Sequence, residues 1–286
     1  MFKNFLIIGC GMIGSSILRG AIGQKICKKI YVFEKNQKYR NQIKRINKKI
    51  IFIKKLDRKI ENMDFVVIAT PMSEYKKIIV QLNYFLGNKT LITDVGSTRG
   101  NVAKLIKEKL SKKLNWIMSH PITGSEASGP NYGSKSLFKN KWCILIKNNK
   151  NKKQINKLVS FWKKLGSKII FMNEAQHDKI FSATSHLPHL IAYNLIKTAQ
   201  DFQRLHKENI IRYSAGGLRD FSRIAASNEI MWRDIFFNNS KNMSKIIDLF
   251  IKNLKNFKLD INKKRNSILI NKLKNSKKVR RQILLL

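Results

Sequence analysis

The stretch Phe5-Leu-Ile-Ile-Gly9-Cys-Gly11-Met-Ile-Gly14-Ser-Ser16 decides the fold. A run of four apolar residues stops at three glycines spaced G-x-G-x-x-G, and a helical segment follows. The run reads as a buried strand and the glycines as the turn that passes it to a helix. Gly9 permits the tight turn, Gly11 lets a pyrophosphate approach the backbone, and Gly14 allows close helix–strand packing. The helix start at Met12 and Ile13 then faces the phosphates with unpaired N–H groups.

Outward from this turn, short runs rich in Ile, Val and Phe recur at 30–33, 50–53, 65–69, 90–93 and 116–119. Segments of helix length separate most of them. That rhythm is the βαβ unit repeated, and it predicts a mainly parallel, doubly wound sheet of the Rossmann type over residues 1–150. The second strand ends at Glu34, twenty residues past Gly14. A carboxylate there accepts hydrogen bonds from ribose hydroxyls and repels a 2′-phosphate, which favours NAD. Lys35 beside it keeps NADP possible. Thr70-Pro71 and Asp94-Val95-Gly96-Ser97 each follow a strand, where an open parallel sheet binds its ligands. Thr70-Pro71 also suits a helix start, and Asp94 a helix cap.

A further strand at 142–146 follows a glycine-rich loop, 124–133. Beyond Lys147 the character changes. Residues 154–165 are amphipathic, 168–171 form a last short strand, and the remainder to 286 is mostly helical. Pro188 suits the first position of a new helix. Gly216-Gly217 reads as a turn. Met243, Ile246, Ile247, Phe250, Ile251, Leu254 and Phe257 make an apolar helical stripe. The tail from 263 reads as a basic terminal helix packed on the body.

The chain has 286 residues, 43% hydrophobic and 26% charged, the balance of a globular protein. Its 58 Lys and Arg against 17 Asp and Glu give a net charge of +41. Such an excess raises the idea of a nucleic-acid partner. Lysine, however, outnumbers arginine by more than three to one and is scattered among Asn and Ile, which reads as compositional drift. No nucleic acid and no membrane are therefore expected as partners. No apolar run approaches the roughly 18 residues of a membrane span. Cys10, Cys27 and Cys143 have no metal-ligand spacing and suit a reducing cytoplasm.

The candidate chemistry lies in histidines and arginines. His120 ends a strand ahead of Pro121 and the glycine-rich loop, and imidazole is the natural base near neutral pH. His177, His186 and His189 cluster further on, and no metal is expected because no third ligand follows a metal-binding pattern. Arg219 and Arg223, four apart, are placed to clamp a carboxylate.

The segments GCGMIGSS, ATP, DVGSTRG, SHPITGSEASG, HDKIFSATSHLPH and GGLRDFSRIAASNEIMW, in this order, resemble the prephenate/arogenate dehydrogenase family. The resemblance runs from residue 3 to about 240. It implies a dinucleotide-binding domain, then an all-α dimerisation domain (151–286), a homodimer, and NAD(P)-dependent oxidative decarboxylation in tyrosine biosynthesis. It implies His120 as the base at the ring hydroxyl, Ser97 at the same hydroxyl and Arg223 at a substrate carboxylate. His186 and His189 would line the pocket, Glu126 and Arg219 would stand at its mouth, and His177 would lie beside it. Thr98-Arg99 departs from the family's usual valine-lysine pair. Two other readings remain at this point. A β-hydroxyacid dehydrogenase shares the glycine motif but needs a Lys-x-x-x-Asn helix that is not evident. A basic Rossmann protein binding RNA would have no use for His120 or Arg223.

Overall fold

The computed structural model describes residues 2–147 and 151–284. The chain divides into two compact units, Met1–Asn239 and Ser240–Leu286. A six-stranded parallel sheet centres the first. Its strands are β1 (Phe2–Ile8), β2 (Cys27–Phe33), β3 (Ile51–Phe52), β4 (Phe65–Ile68), β5 (Leu91–Asp94) and β6 (Asn115–Trp116), in the order β3-β2-β1-β4-β5-β6. Connecting helices are α1 (Met12–Gly23), α2 (Gln37–Lys44), α3 (Tyr75–Phe85) and α4 (Gly100–Lys109). The period-two alternation of β1 divides it between two cores. Phe5 and Ile7 pack with Ile17, Leu18 and Phe161, while Leu6 and Ile8 pack with Tyr75, Ile79 and Trp116.

Register positions the functional edge. Ile8 lies level with Phe33 and Ile68, and Ile68 with Asp94. The loops that begin at Gly9, Glu34, Ala69 and Val95 therefore emerge side by side, at the switch point between β1 and its two neighbours.

The run at 116–119 is not one strand. It leaves the parallel sheet after Trp116, and Ser119–Pro121 (β7) pairs antiparallel with Trp142–Ile146 (β8). Apolar composition alone cannot show this change of partner. Lys168–Met172 (β9) completes the second sheet, parallel to β8. The helix between them, α5 (Lys152–Lys164), buries Leu158, Phe161 and Trp162 in the same core as Phe5 and Phe65. Phe161 meets the Phe65 ring edge-on at 4.7 Å.

The rest of the first unit is helical: α6 (Glu174–Phe181), α7 (Leu187–His206), α8 (Gly216–Ser222) and α9 (Glu229–Asn238). Pro188 lies in the first turn of α7, as its position suggests, but no break precedes it. A π-helical turn, Ser182–His186, joins α6 to α7, and this wider turn accommodates the missing N–H and the ring of the proline. Gly216-Gly217 is the first turn of α8 rather than a break, with Ala215 as its cap in extended conformation.

The second unit is a helical hairpin, α10 (Ser240–Asn262) and α11 (Asn266–Leu284). α11 folds back on α10. Buried Asp260 receives Lys272 at 2.5 Å and Arg265 at 3.6 Å. Of the seven apolar residues in the α10 stripe only Met243 is buried, and Ile251 and Leu254 are exposed. Among the described residues no helix is long and apolar enough to cross a membrane.

Candidate active site

The glycine turn has the three properties its sequence requires. Gly9 has φ +81°, and a Cβ there would lie 2.6 Å from Thr70 Cγ2 and 2.8 Å from the Ala69 carbonyl oxygen. A Cβ at Gly14 would lie 2.3 Å from the Gly9 carbonyl oxygen, so helix and turn touch through backbone. At Gly11 it would meet nothing within 4 Å. Gly11 caps α1 without a side-chain hydrogen bond, and no acidic residue lies in the first turn. The N–H groups of that turn, from Met12 and Ile13 on, thus have an open approach for an anion.

Glu34 braces this turn, accepting from the N–H of Cys10 at 2.8 Å and of Asn36 at 2.9 Å. Lys35 is tied to Glu74 at 2.6 Å. Pro71 caps a 3₁₀ turn, Met72–Glu74, that leads into α3, so the helix-start reading of Thr70-Pro71 holds. The Thr70 hydroxyl oxygen is buried and has no hydrogen-bond partner among the described residues. The glycine-rich loop closes the other side. Ser125 Oγ lies 3.3 Å from Met12 Sδ, and Ser15 Oγ donates to the Pro130 carbonyl at 3.1 Å. An open backbone at Gly11, an orphaned hydroxyl at Thr70 and a braced carboxylate at Glu34 fit a dinucleotide.

Asp94 does not cap a helix. It is fully buried, and its carboxylate accepts from Arg99 Nη2 (2.8 Å), Trp116 Nε1 (3.0 Å), the Gly96 N–H (3.0 Å) and Tyr75 Oη (3.2 Å). Arg99 donates onward to the carbonyls of Thr98 (2.9 Å) and Ser119 (3.2 Å). This buried pair holds the loop carrying Ser97 against the start of β7, where His120 stands. Ser97 is half-buried, and among the described residues nothing takes its hydroxyl.

The histidines that lie far apart in sequence meet here. His120 Nδ1 is 2.8 Å from His177 Nε2, and His177 Nδ1 is 2.9 Å from Asp178 Oδ1. Asp178 also accepts from the N–H groups of Arg99 and Gly100, each at 2.8 Å, and so caps α4, which has no side-chain cap of its own. Phe181 stacks on His177 at 4.5 Å and tilts against His120 at 5.2 Å. His186 is buried, and its Nδ1 accepts from Asn239 Nδ2 at 3.1 Å. His189 donates from Nδ1 to the Ser185 carbonyl at 2.9 Å and stacks on Trp232 at 3.7 Å.

Electrostatics keep these rings neutral. Burial, then His177, Arg99 and His186, hold His120 well below the usual histidine value of 6.5. Imidazole ordinarily titrates near neutrality; burial above all moves this one below that range. Burial brings His186 down to about 4. Burial would raise Asp178, but His177 and the two backbone N–H groups outweigh it and keep the carboxyl below its usual range.

Arg223 Nη1 donates to Glu126 Oε2 at 2.8 Å, which brings together the loop after β7 and the turn after α8. Arg219 is exposed, and no ion pair places it beside Arg223. The 3₁₀ segment begins at Arg223, one α-helical turn after Arg219. Four contributors escaped the sequence reading: Asp178, Arg99, Asp94 as a carboxylate anchor, and Asn239. Only Asp178 carried a signal, its place directly after His177.

The nucleotide-binding domain model of prephenate dehydrogenase matches residues 21–171, and the prephenate dehydrogenase dimerization domain model matches 173–275. A cyclohexadienyl dehydrogenase of Zymomonas mobilis is 30% identical over 281 residues, 98% of this chain and 96% of that protein. A prephenate dehydrogenase of Lactococcus lactis is 30% identical over 287 residues, 97% of this chain and 77% of that protein. The crystal structure of prephenate dehydrogenase from A. aeolicus with hydroxyphenyl propionate and NAD+ superimposes with a TM-score of 0.89, at 30% identity over 99% of both chains.

Proposed function

Since the chain belongs to the prephenate dehydrogenase family, we propose that it oxidatively decarboxylates prephenate or arogenate with NAD, in tyrosine biosynthesis. The observation that carries this reading is the state of His120. Asp178 is a carboxylate, so His177 donates from Nδ1 and accepts at Nε2. His120 must then donate from Nδ1, which leaves the lone pair on its Nε2. A neutral acceptor held in one tautomer, at the edge where the glycine turn binds a dinucleotide, is what oxidation of a ring hydroxyl requires.

NAD, when bound, accepts the hydride. Gly9, Gly11, Met12, Ile13 and Gly14 would hold its pyrophosphate, Glu34 its ribose, and Thr70 and Pro71 the adjoining wall. His120 accepts a hydrogen bond from the ring 4-hydroxyl and draws off its proton, and Ser97 contacts the same hydroxyl. Arg223 anchors a carboxylate, exchanging Glu126 for it. His186, His189 and His177 line the cavity, and Arg219 stands at its mouth. Loss of CO₂ from the oxidised ring gives an aromatic product, so the step runs downhill.

The domain junction falls after Met172 in this reading, because α5 and β9 share the core of the N-terminal sheets. A homodimer forms through the helical part, and the exposed Phe202, Leu205, Phe237, Leu249, Leu254 and Ile261 support a second copy as its partner. Three free cysteines, two of them buried, suit a reducing cytoplasm, and no nucleic-acid partner is needed. The test is NADH formation by purified protein with each substrate. His120→Asn should reduce kcat about 10²–10⁴-fold, and turnover indifferent to that change refutes the assignment.

A further inference from the structure

We propose that His177 is a proton relay, taking up through His120 the proton that the ring hydroxyl loses as hydride leaves, holding it beside Asp178, and returning it when loss of CO₂ leaves a phenolate. This rests on the dehydrogenase reading with His120 as base. Three observations lead to it. The groups form an unbroken hydrogen-bonded line, Asp178 Oδ1 to His177 Nδ1 at 2.9 Å and His177 Nε2 to His120 Nδ1 at 2.8 Å. The line is shielded, since Phe181 packs on both rings and His177 has no exposed surface. It is also electrically asymmetric. Arg99 opposes a charge on either ring, but only His177 has a carboxylate in contact, Asp178, with Asp94 acting in the same sense, whereas His120 has no carboxylate to offset Arg99 and His186.

The balance is simple. The ring C–H electron pair leaves as hydride for the nicotinamide, the oxidant that the proposed activity supplies. The O–H electron pair becomes the second bond of the carbonyl, and the hydroxyl proton passes to His120 Nε2. His120 gives its Nδ1 proton to His177 Nε2. His120 returns to neutrality as the opposite tautomer, and the positive charge rests on His177 against Asp178 until CO₂ leaves. The C–CO₂ electron pair then enters the ring, the carbonyl oxygen becomes a phenolate, and the protons retrace the line to give the phenol and the starting tautomers. Asp178 can hold this charge because its oxygens are fixed by the Arg99 and Gly100 N–H groups at the N-terminus of α4. The same contacts tie the relay to the loop that bears Ser97, so base and serine share one mount.

The other groups facing the line are Arg99 from the loop before α4, Cys143 from β8, and His186 and Asn239 from the helical part. Cys143 is buried and its thiol is pushed well up, so it stays neutral through the working range.

The variants that test the relay are His177→Gln and His120→Asn. Glutamine can accept from His120 Nδ1 through its amide oxygen and keep the tautomer, but it cannot carry a proton. The expected result for His177→Gln is a kcat at least tenfold lower with substrate KM within about twofold, and an enlarged solvent deuterium effect on kcat. Histidine ¹⁵N NMR of the free protein should show His120 protonated at Nδ1 in both wild type and His177→Gln. Wild-type kcat in His177→Gln with the tautomer intact overturns the relay and leaves His177 as an orienting group. His120 protonated at Nε2 in the wild-type spectrum overturns it independently of turnover. Wild-type protein inert with both substrates would instead refute the dehydrogenase reading on which the relay rests.

Discussion

The buried pair Asp94–Arg99 offers a stability test with a distinctive signature. Both side chains have no exposure, and their closest approach is 2.8 Å. Removing one partner strands the other charge in the interior, which costs about 3–5 kcal/mol. Arg99→Met leaves the carboxylate with Tyr75, Trp116 and the Gly96 N–H, so the loss should fall near the lower figure. Asp94→Asn leaves a guanidinium with two carbonyls and no carboxylate in contact with it, so the loss should approach the upper one. Added together these would reach about 8 kcal/mol, comparable with the whole stability of an ordinary domain. The double variant strands no charge. It should be no less stable than Asp94→Asn, giving a coupling of at least about 3 kcal/mol. Urea unfolding followed by tryptophan fluorescence measures this in the first unit alone, since all four tryptophans lie before residue 240. Strict additivity, or single losses each under about 1 kcal/mol, would refute the stranded-charge argument.

Gly11→Ala and Gly14→Ala should separate binding from folding. Gly11→Ala meets no protein atom and should leave thermal stability unchanged while weakening NAD binding at least tenfold by calorimetry, whereas Gly14→Ala collides with the Gly9 carbonyl and should lower the Tm. The acid limb of kcat/KM should lie below pH 6.5, because His120 stays neutral well under that value, and a limb centred at 7 or above would contradict the geometry. His186 protonates near 6.5 unfolded and about 4 folded, so its contribution to stability is full above pH 6.5 and declines as pH falls towards 4. That decline amounts to about 3 kcal/mol at most. The drop in urea midpoint from pH 7 to 4.5 should therefore be smaller in His186→Asn. Glu126→Gln frees Arg223 from an exposed pair worth up to about 1 kcal/mol, so substrate KM should fall by no more than about fivefold.

The cofactor half was legible because its signals are local. A strand, three glycines and an acid twenty residues on fix one another through chain geometry, and Gly9, Gly11 and Gly14 behave as their spacing demands. His120, His177, His186 and His189 were legible as chemistry but not as an assembly, since their meeting depends on how β7 and α6 pack. Breaks in regular structure hid the rest. The run at 116–119 changes sheets without changing composition. Pro188 sits beyond a π turn that no local pattern announces. The pairing of Arg223 with Glu126, 97 residues away, has no local signal either. Asp94 reads as a helix cap, and Arg99 only as a departure from the family's usual lysine, until burial pairs them. The apolar stripe of α10 was correctly helical, but its periodicity cannot tell a core within one chain from a surface that awaits a second copy.

The central claim is that this chain oxidises a cyclohexadiene alcohol through a neutral His120. The most direct measurement is NADH formation by the purified protein with prephenate and with arogenate, for wild type and His120→Asn, at pH 7.5. Turnover of at least one substrate is expected, coupled to release of CO₂ and reduced at least 100-fold in the variant. No turnover of either substrate, or a variant as fast as wild type, would contradict it.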